Sequence, residues 1–447
     1  MSRYLLKNAL LLTGSSMEKG SLLIDGERIA GIWAGDRSVQ DAEEIDLDGK
    51  ILMAGGIDAH VHFRDPGLTW KADMASESEA ALAGGITTFL DMPNTIPPTT
   101  TLEALEDKIA TASAVSRINY GFHLGATNSN SGLIKEYIDS GKGDRFAGIK
   151  VFMGSSTGNM LVDMDDVLED LFKIKGKTIL VHCEDEQTIK DNLRKAKDFY
   201  GDDIPFTAHP EIRSREACVK STGKALDLAI RFGTRLHILH VSTKEEVQMI
   251  RRAKAINPEI TAETSANYLW FCDRDYQEMG GRLKCNPAIK SASDREALIE
   301  ALKDGTIDTV GSDHAPHLLQ EKDKPYLSCP SGLPTVQQSL PAVLTIAARY
   351  RIPLTRVASA FSERPAGIFR IKDRGKLKEG FYADLVVIDP TKEYEVGKPS
   401  YKCGWSPYEG QVFKGSVEMV WINGTPASAG LKAARRCGFD PDPHSGR

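Results

Sequence analysis

The sequence predicts an α/β fold: a (β/α)8 TIM-like barrel with a small β-sandwich domain built from both chain ends. Three observations predict it. Eight apolar runs alternate with helical segments through the middle of the chain, the pattern of a parallel barrel. Several of those runs end in histidine or aspartate, and in such barrels the chemistry sits at the C-terminal strand ends. Both chain ends instead show short strands separated by glycine turns. The expected boundaries are 1–53 for the first part of the β-domain, 54–370 for the barrel, and 371–447 for the second part with a polar tail.

In chain order, Leu5 to Leu12, Ser21 to Ile24 and Arg28 to Ile32 read as strands parted by turns such as Asp25-Gly26. The barrel runs are Ile57–His62, Ile86–Met92, Asn119–Gly125, Gly148–Met153, Thr178–His182, Leu236–Val241, Ile260–Thr264 and Thr306–Ser312. Thr100 with Glu103, Thr243 with Glu246, and Ser293 with Glu296 have the spacing of helix capping boxes. Leu102, Leu105 and Ile109 then recur at helical spacing. After Gly375 and Gly380, Ala383 to Ile388 and Val417 to Ile422 read as strands, the second ending in the hairpin signal Asn423-Gly424. Residues from about Ala427 to Arg447 are polar and basic, and a poorly packed tail is expected there.

Composition narrows the class. With 447 residues, 41% hydrophobic and 26% charged, the chain is ordinary globular material. A net charge of -6 gives no basic footprint for nucleic acid. No apolar run reaches transmembrane length, and the N-terminus lacks a charged segment followed by an apolar one. The seven cysteines form no Cys-x-x-Cys pair and read as free thiols of a reducing compartment. The expectation is a soluble cytoplasmic protein with no membrane or nucleic-acid partner; a homo-oligomer stays open.

The candidate chemistry gathers at the run ends. His60 and His62 stand two apart, so a strand points both to one face while Val61 faces the other way. His182 ends the fifth run, His240 the sixth and Asp313 the eighth, and Lys150 lies within the fourth. Imidazole and carboxylate without thiolate suit a catalytic zinc or a similar first-row metal. Four histidines and one aspartate can supply two metals, but two close cations need a bridging anion. A neutral Lys150 amine cannot bridge; a lysine carbamate can. Strict alternation turns His237 and Leu239 towards the helices and His240 inward, so His237 reads as structural. His123 reads as structural too, His314 and Cys183 as facing away from the site, and His209 as a loop residue at the surface or in a lid. The polar segment Leu318 to Ser328 is a candidate lid.

This set resembles the amidohydrolase superfamily, which carries His-x-His on the first barrel strand, a carboxylated lysine on the fourth, histidines on the fifth and sixth and aspartate on the eighth. Within it, His60-Val61-His62-Phe63-Arg64-Asp65-Pro66-Gly67, Asp91-Met92-Pro93-Asn94-Thr95 and Ser312-Asp313-His314-Ala315-Pro316-His317 are similar to the dihydroorotases. Two departures stand out. Many long-type dihydroorotases have aspartate where Lys150 stands, and many relatives end the string Asn286-Pro287-Ala288-Ile289-Lys290 with arginine. The resemblance implies that His60, His62, Lys150 (carboxylated by CO2), His182, His240 and Asp313 hold two zinc ions and a bridging hydroxide, with Asp313 also the catalytic base. It implies that Arg64, Asn94 and His317 bind the substrate carboxylate, and that Asn286 and the backbone at Ser331 and Gly332 contact the ring. The expected substrates are dihydroorotate and N-carbamoyl-aspartate. Rival readings are an allantoinase or dihydropyrimidinase, and a non-catalytic scaffold relative.

Overall fold

The structure, a computed structural model, describes residues 3–154, 160–429 and 434–440. Its centre is a ring of eight parallel strands: Gly56–Val61, Ile86–Asp91, a third in two pieces (Asn119–Phe122 and Leu124–Gly125), Gly148–Phe152, Thr178–His182, Leu236–Ile238, Ile260–Thr264 and Thr309–Val310. Neighbouring strands pair in parallel around the ring. A bridge between Val61 and His314, with His62 N–H donating to the His314 carbonyl at 2.8 Å, joins the last strand's extension to the first. These runs read as near-continuous apolar sequence because both faces are covered. Ile149, Val151, Ile179, Val181, Leu236 and Ile238 pack outward in one core with the helical residues Leu171, Leu226 and Ile250. Leu180 and Leu239 lie in a second core with Ile57, Leu90, Ile368 and Phe369.

Local signals explain where the helices begin. Thr243 and Glu246 form the expected capping box of helix Lys244–Ile256. The other two boxes shift. Helix Leu102–Val115 is capped by Thr101, whose hydroxyl accepts from Ala104 N–H. Helix Ala292–Asp304 is capped reciprocally by Ser291 and Asp294 rather than by Ser293 and Glu296. Both sequences offer adjacent Thr or Ser candidates, and spacing alone does not choose between them.

The β-sandwich domain is one eight-stranded sheet drawn from both chain ends. Its order runs Thr425–Pro426, Val412–Ile422, Leu385–Glu395, Ile51–Ala54, Arg3–Leu12, Met17–Asp25, Arg28–Ala34, with Glu43–Asp46 also pairing Arg3–Leu12. A register shift between Leu6 and Ala9 lets strand Arg3–Leu12 pair Glu43–Asp46 along one half and Ile51–Met53 along the other. Leu6, Leu22, Ile24, Leu52, Leu385, Val387 and Trp421 fill its core. Between the strands Leu385–Glu395 and Val412–Ile422, residues 396–411 leave the domain and run against the barrel. There Lys402 Nζ pairs with Asp73 at 2.6 Å, Tyr408 O–H donates to Asn267 Oδ1 at 2.9 Å, and Trp405 Nε1–H donates to the His317 carbonyl at 2.8 Å.

The expected loose tail needs correcting in part. Residues 434–440 pack against the barrel: Arg436 bridges Tyr120, Phe439 bridges Ile371, and Cys437 is fully buried. The apolar Cys437 and Phe439 outweigh their basic surroundings. The remainder of that expectation at 430–433 and 441–447 lies outside the described residues. All seven cysteines are free. Among the described residues no helix is long and apolar enough to cross a membrane.

Candidate metal centre

All twelve residues singled out above line one cavity of about 370 Å³ at the C-terminal ends of the strands: His60, His62, Arg64, Asn94, Lys150, His182, His240, Asn286, Asp313, His317, Ser331 and Gly332. Phe152, Ala315 and Pro330 complete the lining. Asp313 Oδ1 lies 3.2 Å from both His60 Nε2 and His62 Nε2. Ligand-type atoms of these three residues all fall within 4.8 Å of one another. His240 Nε2 is 2.9 Å from His182 Nδ1, and the His60 and His240 ring centroids are 5.3 Å apart. Lys150 is buried in the same wall, its Nζ 4.5 Å from the Phe152 ring centroid.

Buried partners aim these side chains. His60 Nδ1 meets Glu263 Oε1 at 2.6 Å and His62 Nδ1 meets Asn94 Oδ1 at 2.6 Å. With those nitrogens as donors, each ring turns an unprotonated Nε2 to the cavity. His182 is held the other way round: Nε2 meets Glu184 Oε2 at 2.9 Å, so Nδ1 faces the cavity. Glu184 is in turn ion-paired with Arg213. Burial pushes the Glu184 carboxyl up, but Arg213 and His182 outweigh it and leave it well below the usual range. Burial raises the Asp313 carboxyl too, and His60 and His62 beside it bring the net shift downward. Burial lowers the Lys150 amine to about 7. Buried imidazoles that donate backwards, His60 and His182 to carboxylates and His62 to the Asn94 amide oxygen, with the Asp313 carboxylate converging on the free nitrogens of His60 and His62, are the donor set of a first-row metal site. The residues fit such a centre.

The parity assigned to the sixth strand needs correcting. Leu180 pairs with His237 and Val181 with Ile238, so His237 shares the face of Leu180 and points into the barrel. His237 Nδ1 meets Thr261 Oγ1 at 2.8 Å, its Nε2 is 3.7 Å from Glu263 Oε2, and its ring packs on Phe369. It is structural, as expected, but from inside. Leu239 also packs inward. His240 reaches the cavity because its backbone takes a positive φ of 38°, a break that alternation cannot anticipate. Asp313 and Arg64 have positive φ as well, 48° and 64°; such strain gathers at functional sites.

His123 is structural, with Nε2 at 3.0 Å from the Ala59 carbonyl, and burial lowers it to about 3. His314 faces away, against Glu77 at 2.7 Å. Cys183 packs in the outer core. His209 is neither surface nor lid. It is fully buried, bonded to the Tyr326 hydroxyl and the Cys285 carbonyl at 2.8 Å each. The candidate lid is likewise anchored. Lys322 Nζ donates to the carbonyls of Lys284, Pro330 and Gly332 at 2.8, 2.8 and 3.0 Å, and Lys284 Nζ donates to those of Tyr326 and Cys329 at 2.7 Å each.

Beside the metal centre stands a cationic wall. Arg64 is buried, with Nε donating to the Pro316 carbonyl at 3.2 Å and Nη2 lying 3.1 Å from His317 Nε2. Burial lowers the Arg64 guanidinium to about 10, still charged at neutral pH. On the ring side, Asn286 precedes a cis proline, and its Oδ1 is buried without a hydrogen bond. Sequence reasoning missed Glu263, Glu184, Arg213, Lys322, Lys284 and Trp405. Only Glu263 carried a signal, a carboxylate inside the apolar run Ile260–Thr264.

Comparison with known proteins shows the family. The model of the amidohydrolase family matches residues 51–427. The chain belongs to the amidohydrolase family. Among family members, a dihydroorotase from Methanosarcina acetivorans is 34% identical over 417 residues, 91% of this chain and 88% of that one. An L-hydantoinase from Paenarthrobacter aurescens is 30% identical over 437 residues, 94% of this chain and 93% of that one. Among solved family structures, an L-hydantoinase (dihydropyrimidinase) from Arthrobacter aurescens superposes with a TM-score of 0.91 at 28% identity, covering 98% of this chain and 100% of that chain.

Proposed function

We propose that the chain is a dihydroorotase, interconverting N-carbamoyl-L-aspartate and L-dihydroorotate in de novo pyrimidine (UMP) synthesis. The observation that carries this reading is the cationic wall: a buried Arg64 beside His317 and Asn94, all opening on the cavity that holds the candidate metal ligands. A guanidinium fork suits a carboxylate, and a buried cation without an anion would be expensive. The identity to proteins named dihydroorotase supports the same substrate.

In this reading His60, His62, Lys150, His182, His240 and Asp313 hold two zinc ions or other first-row divalent cations, with Lys150 carboxylated. The burial that lowers the Lys150 amine to about 7 leaves a sizeable unprotonated fraction able to add CO2. When bound, the metals supply an activated water and polarise the ring carbonyl. Asp313 accepts the proton of the attacking water and delivers it to the leaving ring nitrogen. In cyclisation it first takes a proton from the ureido nitrogen. Arg64, His317 and the Asn94 amide hold the carboxylate, while Asn286 and the backbone at Ser331 and Gly332 orient the ring. The same reading assigns the protein to the cytoplasm, and the free state of all seven cysteines supports a reducing compartment.

The second reading, a hydantoinase or dihydropyrimidinase, is favoured by the structural likeness to L-hydantoinase. Its uncharged ring would leave the Arg64–His317 wall without an anion. Purified protein assayed with dihydroorotate, dihydrouracil, hydantoin and allantoin, with metal analysis on the same sample, separates the two. Dihydroorotate is expected to turn over fastest by far; faster turnover of an uncharged ring would overturn the proposal.

A further inference from the structure

The loop that leaves the first barrel strand just after His60 carries His62 and Arg64, folds back through Leu68 N–H on the Arg64 carbonyl and Lys71 N–H on the Leu68 carbonyl, and ends at Lys71. Lys71 is a buried lysine whose Nζ lies 2.8 Å from His317 Nδ1 and 3.1 Å from Glu321 Oε1. The His317 carbonyl is held by Trp405 Nε1–H, which anchors the backbone that carries the ring.

Three groups lie within hydrogen-bond distance of that ring, and the Glu321 carboxylate stands farther off, 3.8 Å from Nδ1 and engaged by Lys71. A neutral imidazole offers one lone pair and one N–H. Lys71, paired with Glu321, is an ammonium and can only donate to Nδ1. Arg64 Nη2, 3.1 Å from Nε2, can also only donate. The Ser331 carbonyl, 3.1 Å from the same Nε2, can only accept. One lone pair cannot satisfy both cations. With Nδ1 protonated, Arg64 would donate to His317 and the two groups facing the substrate carboxylate would be spent on each other, with the Lys71 contact turned into donor against donor. With Nε2 protonated, Lys71 and Ser331 are both satisfied and Arg64 Nη2 is left opposite another N–H, a pairing that an anion lying beside both and accepting from them relieves.

We propose that Lys71 is a positioning residue for substrate recognition: with the Ser331 carbonyl it holds His317 as the Nε2–H form, so that Arg64 Nη2 is not spent on His317 and stays available to the substrate's carboxylate, which the single Nε2–H, shared with the Ser331 carbonyl, also faces. The inference rests on the dihydroorotase reading and adds a residue to it. Because the carboxylate is remote from the bond that breaks, Lys71 acts on binding in the ground and transition states alike, and its loss raises KM with little change in kcat.

The test uses the metal-replete full-length protein in two ways. In wild-type protein labelled with 15N-histidine, with His317 assigned by its absence in His317→Gln, the Nε2 resonance is expected in the protonated range and Nδ1 in the unprotonated range. The reverse pattern overturns the proposal whatever the variants do. In Lys71→Met, KM for dihydroorotate is expected to rise roughly ten- to a hundredfold, the worth of a hydrogen bond to a charged group, with kcat within about threefold, metal content unchanged and the 15N pattern shifted towards Nδ1–H. An unchanged KM in a folded, metal-loaded Lys71→Met overturns it. So does a fall in kcat and metal content with KM unaltered, which marks a structural role only. Absence of dihydroorotate turnover in the wild type is the separate failure of the underlying functional reading, and the 15N pattern is read independently of it.

Discussion

Replacing Arg64 with methionine is the sharpest probe of substrate class. The Arg64 side chain is buried against the Pro316 carbonyl, with Nη2 facing His317 across 3.1 Å. Methionine keeps the apolar stem and removes the fork. The positive φ of 64° at this position penalises arginine and methionine alike, so the backbone contributes little to the difference. What is lost is the charged partner of a buried carboxylate, about 2–5 kcal/mol. At about 1.4 kcal/mol per tenfold, that is roughly a thirtyfold to several-thousandfold drop in kcat/KM for dihydroorotate. Arg64→Lys should recover only part of the loss, because an ammonium cannot supply two parallel N–H donors. Steady-state kinetics on both variants, with metal analysis of each sample, make the measurement. A metal-loaded Arg64→Met with kcat/KM within threefold of wild type would refute the carboxylate assignment and move the hydantoinase reading forward.

Other perturbations address the metal centre. Asp313→Asn should lose roughly 10²–10⁴-fold in kcat, since an amide cannot shuttle the proton; near-normal turnover in a metal-replete sample would sink the mechanism. Lys150→Ala should lose paired metal binding, read as metal per chain, and a short added carboxylate should restore part of the activity; full metal content and activity in the variant would rule out a bridging role. Glu263→Gln weakens the buried hold on His60 Nδ1 and should lower metal affinity about 10–100-fold, measured by chelator competition; unchanged affinity would mean that His60 is aimed by packing alone.

Much of this architecture was legible in the sequence because it rests on local periodicity. The alternation of apolar runs and helices, the His60–His62 pair on one face, and the placement of His182 and Asp313 at strand ends all follow from repeats of two and 3.6. What escaped does so for definable reasons. The sixth strand was read one residue out of phase because His240 breaks its alternation with a positive φ, and nothing in Leu236-His237-Ile238-Leu239-His240 announces that break. Glu184, Arg213, Lys284 and Lys322 are charged groups buried by distant contacts, and a charged residue in a polar stretch reads as solvated. His209 misled for the same reason. Cys437 and Phe439 were hidden in a basic tail, where two apolar residues decide the packing and composition does not.

The pair of lysines beneath the Ser331–Gly332 wall has a consequence for how the pocket recognises a ring. Five lysine-to-carbonyl hydrogen bonds brace the segment 318–333: three join it to Lys284, and two, from Lys322 to the Pro330 and Gly332 carbonyls, tie it internally. Swinging this segment away from Lys284 would break three of these bonds at once and strand the Lys284 amine and the Lys284, Tyr326 and Cys329 carbonyls. The wall is therefore shaped during folding, and the ordering entropy of a closing loop is not charged against each binding event. Such a pocket discriminates by fit and by the geometry of its donors, not by an induced closure, and a ligand that mimics the ring's outline should bind it without any lag attributable to this segment.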